Sequence, residues 1–370
     1  TPGANMTSLF VHQVLLHIRQ LIFLMVLAGL LSVTNLALET RPASAQEFNF
    51  IQKIVNPRLI IERNRAVSNV VNKQVGKRLA PAASGGTMSG LAVAPTGALI
   101  TPTADDASSA TAATSWNIWL DGSYTGIEDR LGARAYDSDQ YAVSTGFDHQ
   151  LTERILVGAL FNYSESDTTN IFVPATSGTD NYSVGPYLGI TVTDNIVFDA
   201  SFLYTWSDNA ARSGGVLAAY DGESWNVNAN VTGYWFFDSL RVSPKVGFSY
   251  SRSSDESYTD SGATFFASEV TQTGTLNFGT TLAYTFQLGG GRTVEPYLTA
   301  EAEWEFLEKV TPNVATGLPE DKRDFDIRLE SGVDISLAKN VSLGVNGSIG
   351  GLARSRYRSL SGGGRLTFSF

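Results

Sequence analysis

The chain has no cysteine in 370 residues, so it offers no disulfide framework, no thiolate metal site and no cysteine nucleophile. Histidine is almost as scarce. Beyond His12 and His17 there is only His149, which has no Ser and Asp set around it as a triad requires and reads as a turn residue. Charged residues amount to 17%, and the net charge of -10 with an isoelectric point near 4.9 excludes a nucleic-acid partner, since phosphate neutralisation needs clustered Lys and Arg. The glycine runs at 289–291 and 362–364 lack the strand, helix and following Lys of a phosphate cradle. The acidic stretch 253–260 lacks EF-hand spacing. Neither cofactor nor metal is expected, and the chain does not read as an enzyme.

What it does have is 35 Gly, 20 Phe, 14 Tyr and 6 Trp, a mixture suited to many strands and turns. From Met6 the chain runs through Arg19 into an apolar core at 21–33 and then to Ala43, Ser44 and Ala45. A basic residue before an apolar core and small residues at the cleavage positions predict a secretory signal peptide cut after Ala45, with 1–5 as an upstream extension. The alternative, a membrane anchor, needs a longer core, because a spanning helix takes roughly 20 residues.

Four segments follow. Residues 1–45 are the extension and signal. Within 46–80, Val67, Val70, Val71, Val75 and Leu79 recur at three-and-four spacing after Pro57, which predicts a helix. Residues 51–80 are basic, carrying Lys53, Arg58, Arg63, Arg65, Lys73, Lys77 and Arg78 against the single acid Glu62. Residues 81–114, rich in Ala, Gly, Ser, Thr and Pro, bury too little to order themselves and read as a flexible linker.

From 115 to 370 the pattern becomes strict alternation. Phe198, Phe202, Tyr204 and Trp206 fall on one face and Asp199, Ser201 and Thr205 on the other; Trp225, Val227, Val231 and Trp235 oppose Asn226, Asn228, Asn230 and Thr232. About twelve such strands are predicted, near 115–125, 139–148, 154–164, 180–192, 195–206, 223–236, 240–251, 270–286, 292–306, 323–337, 341–350 and 358–370. Connections after strands 2, 4, 6, 8 and 10 are tight, around residues 149–150, 193–194, 238–239, 289–290 and 339–340, whereas those after strands 1, 3, 5, 7 and 9 run to about a dozen or more polar residues. Short turns at one end and long loops at the other predict an all-β, transmembrane antiparallel barrel of the bacterial outer membrane, with its loops at the cell surface.

That orientation groups Tyr124, Tyr163, Trp206, Trp225, Tyr250 and Trp304 at the outer interface and Trp116, Trp235, Phe237, Tyr284, Phe286 and Phe370 at the inner one. A soluble sandwich also alternates, but it does not sort its loops by length. Pro186, Pro244 and Pro296 sit inside strands, where a ladder bond is lost, and call for bulges or strand ends.

The Trp-rich first strand SWNIWLDGSYTG, the mid-strand prolines of VGPYLGITV and VEPYLTAEAEWEF, and the final RLTFSF resemble the autotransporter β-domain family over residues 115–370. The resemblance implies a translocator barrel with a helix threaded through it, for which 58–80 is the candidate. It also implies an insertion signal in the last strand, matched by Ser361, Gly363, Leu366, Phe368 and Phe370. Some members cleave the helix at an asparagine, and the match at Asn72 is loose; neither a long passenger nor a β-helix repeat is present.

If the polar faces point inward, Glu295, Glu301, Glu303 and Glu305, with Asp324, Asp326, Glu330 and Asp334 around Arg328, make the lumen acidic and complementary to the basic segment. The expectation is a monomeric translocator barrel with 46–80 in or through its pore. Its partners are outer-membrane lipid, the barrel-insertion machinery and the general secretion machinery. The alternatives are a small diffusion porin, and a surface adhesin acting through loops at 165–179, 207–221 and 252–269.

Overall fold

A computed structural model describes residues 55–80, 116–130, 135–171, 174–288, 292–311, 324–338 and 340–370. The expected signal, the linker and the 289–290 turn lie outside them.

Helix α1 spans Asn56–Leu79, with proline in its first turn and Lys77 and Arg78 in its last, where cations complement the carbonyl end of the dipole. Twelve long strands follow: β1 (Trp116–Asp129), β2 (Tyr136–Thr152), β3 (Ile155–Asn170), β4 (Ala175–Thr193), β5 (Ile196–Ser213), β6 (Val216–Gly233), β7 (Leu240–Asp255), β8 (Glu269–Tyr284), β9 (Thr293–Thr311), β10 (Phe325–Ala338), β11 (Val341–Gly350) and β12 (Tyr357–Ser369). Short pieces, Trp235–Phe237 and Phe286–Gln287, continue β6 and β8.

Each strand pairs antiparallel with the next, and β12 returns to β1 from Asn117↔Ser369 to Asp129↔Tyr357. The Trp116 and Phe370 main chains exchange two hydrogen bonds of 2.9 Å at the end of this seam. The ring is closed, so each long strand has a neighbour on both sides and the sheet has no edge strand.

Alternation holds along the strands. Ser138, Gln140, Ser144, Asn162, Ser164, Asn226, Asn228 and Asn230 are buried inside, while Val143, Phe147, Phe161, Phe202, Val231, Phe248 and Phe278 are exposed outside. Large rings gather at both ends of the outer face. Tyr124 meets Tyr141 at 5.1 Å, Tyr163 meets Tyr182 at 5.3 Å and Trp225 meets Tyr250 at 5.3 Å near the loop end. Trp116 with Phe147 (6.4 Å) and Tyr284 with Phe286 (4.9 Å) stand at the turn end.

Three expectations change. His149 lies in β2, stacked on Trp116 at 4.3 Å; the turn is at Glu153 and Arg154. Most of the long loops shrink, and among the connections described throughout, 256–268 keeps the expected length. The reading by apolar residues stopped where the outward face turns polar, at Asp137, Asp139, Glu165 and Asp167, yet ladder bonds need only main chain. The expected loop at 207–221 is instead a two-residue turn, in which Gly214 (φ 54°) and Gly215 (φ 92°) supply the positive angles such a hairpin demands. Third, the 252–269 loop is not free. Its hairpin, Tyr258–Thr259 against Phe265–Phe266, stacks Tyr258 between Tyr220 (4.5 Å) and Phe266 (4.8 Å), and the cluster takes in Val55 and Leu59 of the helix end.

The prolines sit where a ladder is interrupted. The β4–β5 pairing skips Gly185 and Pro186; Pro244 and Pro296 stay paired to β8 and β10 but lie near the breaks at Tyr234 and Thr285.

Outside, near the loop end, Glu165, Asp180, Asp208 and Asp221 form a cross-strand row of acids. Like charges directly opposite destabilise a sheet. Asp208→Asn is therefore expected to raise the thermal unfolding midpoint in detergent, with a gain that shrinks as salt screens the row. An unchanged or lowered midpoint at low salt would contradict this.

Candidate functional site

Every second residue of β9 and β10 faces inward, which brings Glu295, Glu301, Glu303 and Glu305 beside Asp326, Arg328, Glu330 and Asp334. The register sets Glu303 opposite Asp326 and Glu295 opposite Asp334. Such pairs are unfavourable unless cations or N–H groups come between them.

Helix α1 supplies part of that compensation. Arg58 pairs with Glu305 and, at 3.3 Å, with Glu308. Arg65 holds Glu303 through two donors, one at 3.1 Å. Lys73 pairs with Glu330 and donates to the Tyr297 hydroxyl at 3.1 Å, and Lys77 lies 3.0 Å from Asp334. Arg78 stands 3.6 Å from Asp148, an acid the sequence reading did not single out. Arg63 goes to neutral partners, Asn181 and Ser224.

Half of the expected acidic cluster thus meets the basic helix. Glu295 is taken by Arg241 at 2.7 Å and Glu301 by Lys245 at 2.7 Å, both from β7. Asp326 accepts the Gly351 N–H at 2.9 Å. Asp324 is exposed ahead of β10, where its carbonyl accepts from the Glu305 N–H at 2.6 Å.

The densest cluster was not anticipated. Glu62 accepts from Arg328 at 2.9 and 3.1 Å and from the Tyr357 hydroxyl at 2.7 Å, and also pairs with Arg65; Arg354 joins at Glu305. Its signal was present as one acid on a basic helix and one base amid strand acids. Lower down, Asp148 accepts from Gln74 (2.8 Å), Asn117 (2.9 Å) and Tyr187 (2.8 Å), and Asp199 accepts from Asn72 at 2.6 Å.

The opposite face of the helix is apolar. Val67, Val70, Val71, Val75 and Leu79 pack against Trp119, Leu156, Leu160, Tyr187, Val197, Leu203 and Tyr234. The inward face of β1 to β6 is therefore not wholly polar as expected. A Cβ on Gly189 would meet Val75 Cγ1 at 2.3 Å, so the close approach of helix to β4 needs glycine there. Of the last-strand residues, Ser361 and Gly363 fall on the inward face, with Ser361 bonded to Thr125 at 2.9 Å, and Leu366, Phe368 and Phe370 on the outward one.

A family model for the autotransporter beta-domain matches residues 118–348. No curated protein sequence matches the chain. Among solved structures, the chain is similar to the β-domain of the Bordetella autotransporter BrkA, at 19% identity and TM-score 0.59, over 69% of this chain and all of that one. It is also similar to the translocator domain of NalP from Neisseria meningitidis (13%, TM-score 0.57, 69% and 88% covered) and the transport unit of AIDA-I from Escherichia coli (12%, 0.52, 74% and 94%). These likenesses are of fold.

Glu62 and Arg328 are both buried, and removing one member of a buried pair costs about 3–5 kcal/mol. Glu62→Leu should lower the unfolding midpoint of the refolded full chain, and Glu62→Leu with Arg328→Met should recover most of the loss. A single variant as stable as the parent would rule out the pairing.

Proposed function

Since the chain belongs to the autotransporter β-domain family, we propose that it is an outer-membrane translocator barrel whose helix α1 occupies the pore, with the loop end at the cell surface. The observation that carries this reading is the ladder of ion pairs from Arg58, Glu62, Arg65, Lys73 and Lys77 to inward-facing residues of β9 and β10, with the Tyr357 hydroxyl of β12 donating to Glu62. A barrel evolved as an open diffusion pore has no use for such a matched set. Its task is transport, and no reaction is assigned to it. The outward apolar row of Leu366, Phe368 and Phe370 suits recognition by the barrel-insertion machinery, after export by the general secretion machinery.

The helix direction gives the reading a definite sense. Val55 and Leu59 cluster with the 256–268 hairpin at the loop end, while the Leu79 carbonyl accepts from Thr191 at the turn end. The segment before Val55 should thus emerge on the surface. An epitope inserted at residue 48 is expected to bind antibody on intact cells, and periplasmic confinement of the tag would contradict the reading. Deleting residues 46–80 should raise single-channel conductance in a planar bilayer; unchanged conductance would sink the idea that the helix fills the pore.

A further inference from the structure

The space between helix and wall is filled unevenly. Toward β1 to β3, around Arg63, Ala66 and Val70, about 10 Å3 is left, and the space within Arg58, Ile61, Glu62, Arg65, Glu305, Asp326, Arg354 and Tyr357 closes to about 0 Å3. On the side of β7 to β10 a cavity of about 110 Å3 remains. Roughly 10–15 Å3 suffices for one water molecule, so this cavity has room for several and the other two spaces for at most one.

The cavity follows the helix. Asn69, Asn72, Lys73, Gly76, Lys77 and Ala80 line it, steps of three, one, three, one and three that trace a single stripe for about 16 Å of rise. The facing wall sets polar groups, Ser243 and Lys245 of β7, Thr281 of β8, Thr299 and Glu301 of β9, and Glu330 and Asp334 of β10, among the rings of Tyr234 and Tyr297. Its charges are matched in place, Lys73 with Glu330, Lys77 with Asp334 and Lys245 with Glu301. Arg241 and Arg328 also line the cavity and are paired beyond it, with Glu295 and Glu62, so each charge of the lining has its counter-charge close by, and the hydroxyls between them can solvate a passing ion. The stripe runs out to Ala80 at the turn end, and at its other end it meets Arg328, which is locked to Glu62.

We propose that this stripe is a wet lane, open from the turn end and closed at the loop end by the Glu62–Arg328–Tyr357 cluster, along which small hydrophilic ions move beside the helix without displacing it. The inference rests on the reading that α1 occupies the pore. It moves the seal of the barrel from the helix as a whole to one ion-paired collar near its N-terminal half.

Because the chain has no cysteine, each introduced thiol is unique. Asn69→Cys and Asn72→Cys probe the lane, Val71→Cys the packed face and Ile61→Cys the collar. Each full-length variant, its folding checked by heat-modifiable migration in detergent gels, is placed in a lipid bilayer with a small cationic methanethiosulfonate reagent on one side. From the turn side both lane thiols should react about tenfold or more faster than the thiols at 71 and 61, which react only through local opening. From the loop side all four should be slow. Lane thiols no faster than the thiol at 71 would overturn the lane and leave the plugged barrel standing. Equal, rapid reaction at all four positions from both sides would instead mean that the helix is not in the pore, and both readings would fall.

Discussion

Inside a bilayer a strand edge has no water to bond to, so an open sheet cannot persist there and the first strand must find the last. The β1–β12 seam meets that demand through thirteen paired positions and the Trp116–Phe370 main-chain bonds. Closure then dictates the rest. It fixes an inside and an outside, sends every second residue of twelve strands into one narrow space, and leaves both ends of the wall at the turn end. Lipid-facing Phe161, Phe202 and Phe248 and inward Asn162, Ser201 and Ser249 follow from that geometry.

A closed lumen turns charge into a packing problem. Glu303 opposite Asp326 and Glu295 opposite Asp334 would repel across one strand spacing, at low effective dielectric. The wall answers in part with Arg241, Lys245, Arg354 and the Gly351 N–H, and helix α1 answers with Arg65 and Lys77. Buried ion pairs add little net stability, because desolvation offsets attraction. Their effect is to favour one axial and rotational position of the helix, since a slip of one residue would strand several charges at once. The favourable burial comes from the other face, where Val67, Val71 and Val75 meet Trp119, Leu156 and Val197. Helix α1 is thus amphipathic in contact with a wall whose inward face is itself two-sided.

The barrel was legible because its signal is local. Period-two alternation, turn residues and interfacial rings can be read without knowing which strands meet, and all twelve strands were found at nearly their observed turn-end boundaries. Their loop-end boundaries were missed where Asp137, Asp139, Glu165 and Asp167 take over the outward face, because polarity there reports the end of the lipid and not the end of the ladder. The Gly214 and Gly215 turn could have been read from its residues alone.

The site was legible in kind and not in detail. Sequence by itself determined that one basic helix precedes a closed wall with acids on its inward face, since charge and alternation are properties of each segment alone. That Glu295 belongs to Arg241, that Asp148 sits beneath Arg78, and that Glu62 is the centre of the collar were decided only by the tertiary structure. Those partnerships join positions as far apart as 295 residues, and they depend on strand register and on how deep and at what rotation the helix sits. No local pattern encodes those quantities, because they exist only once the wall has closed.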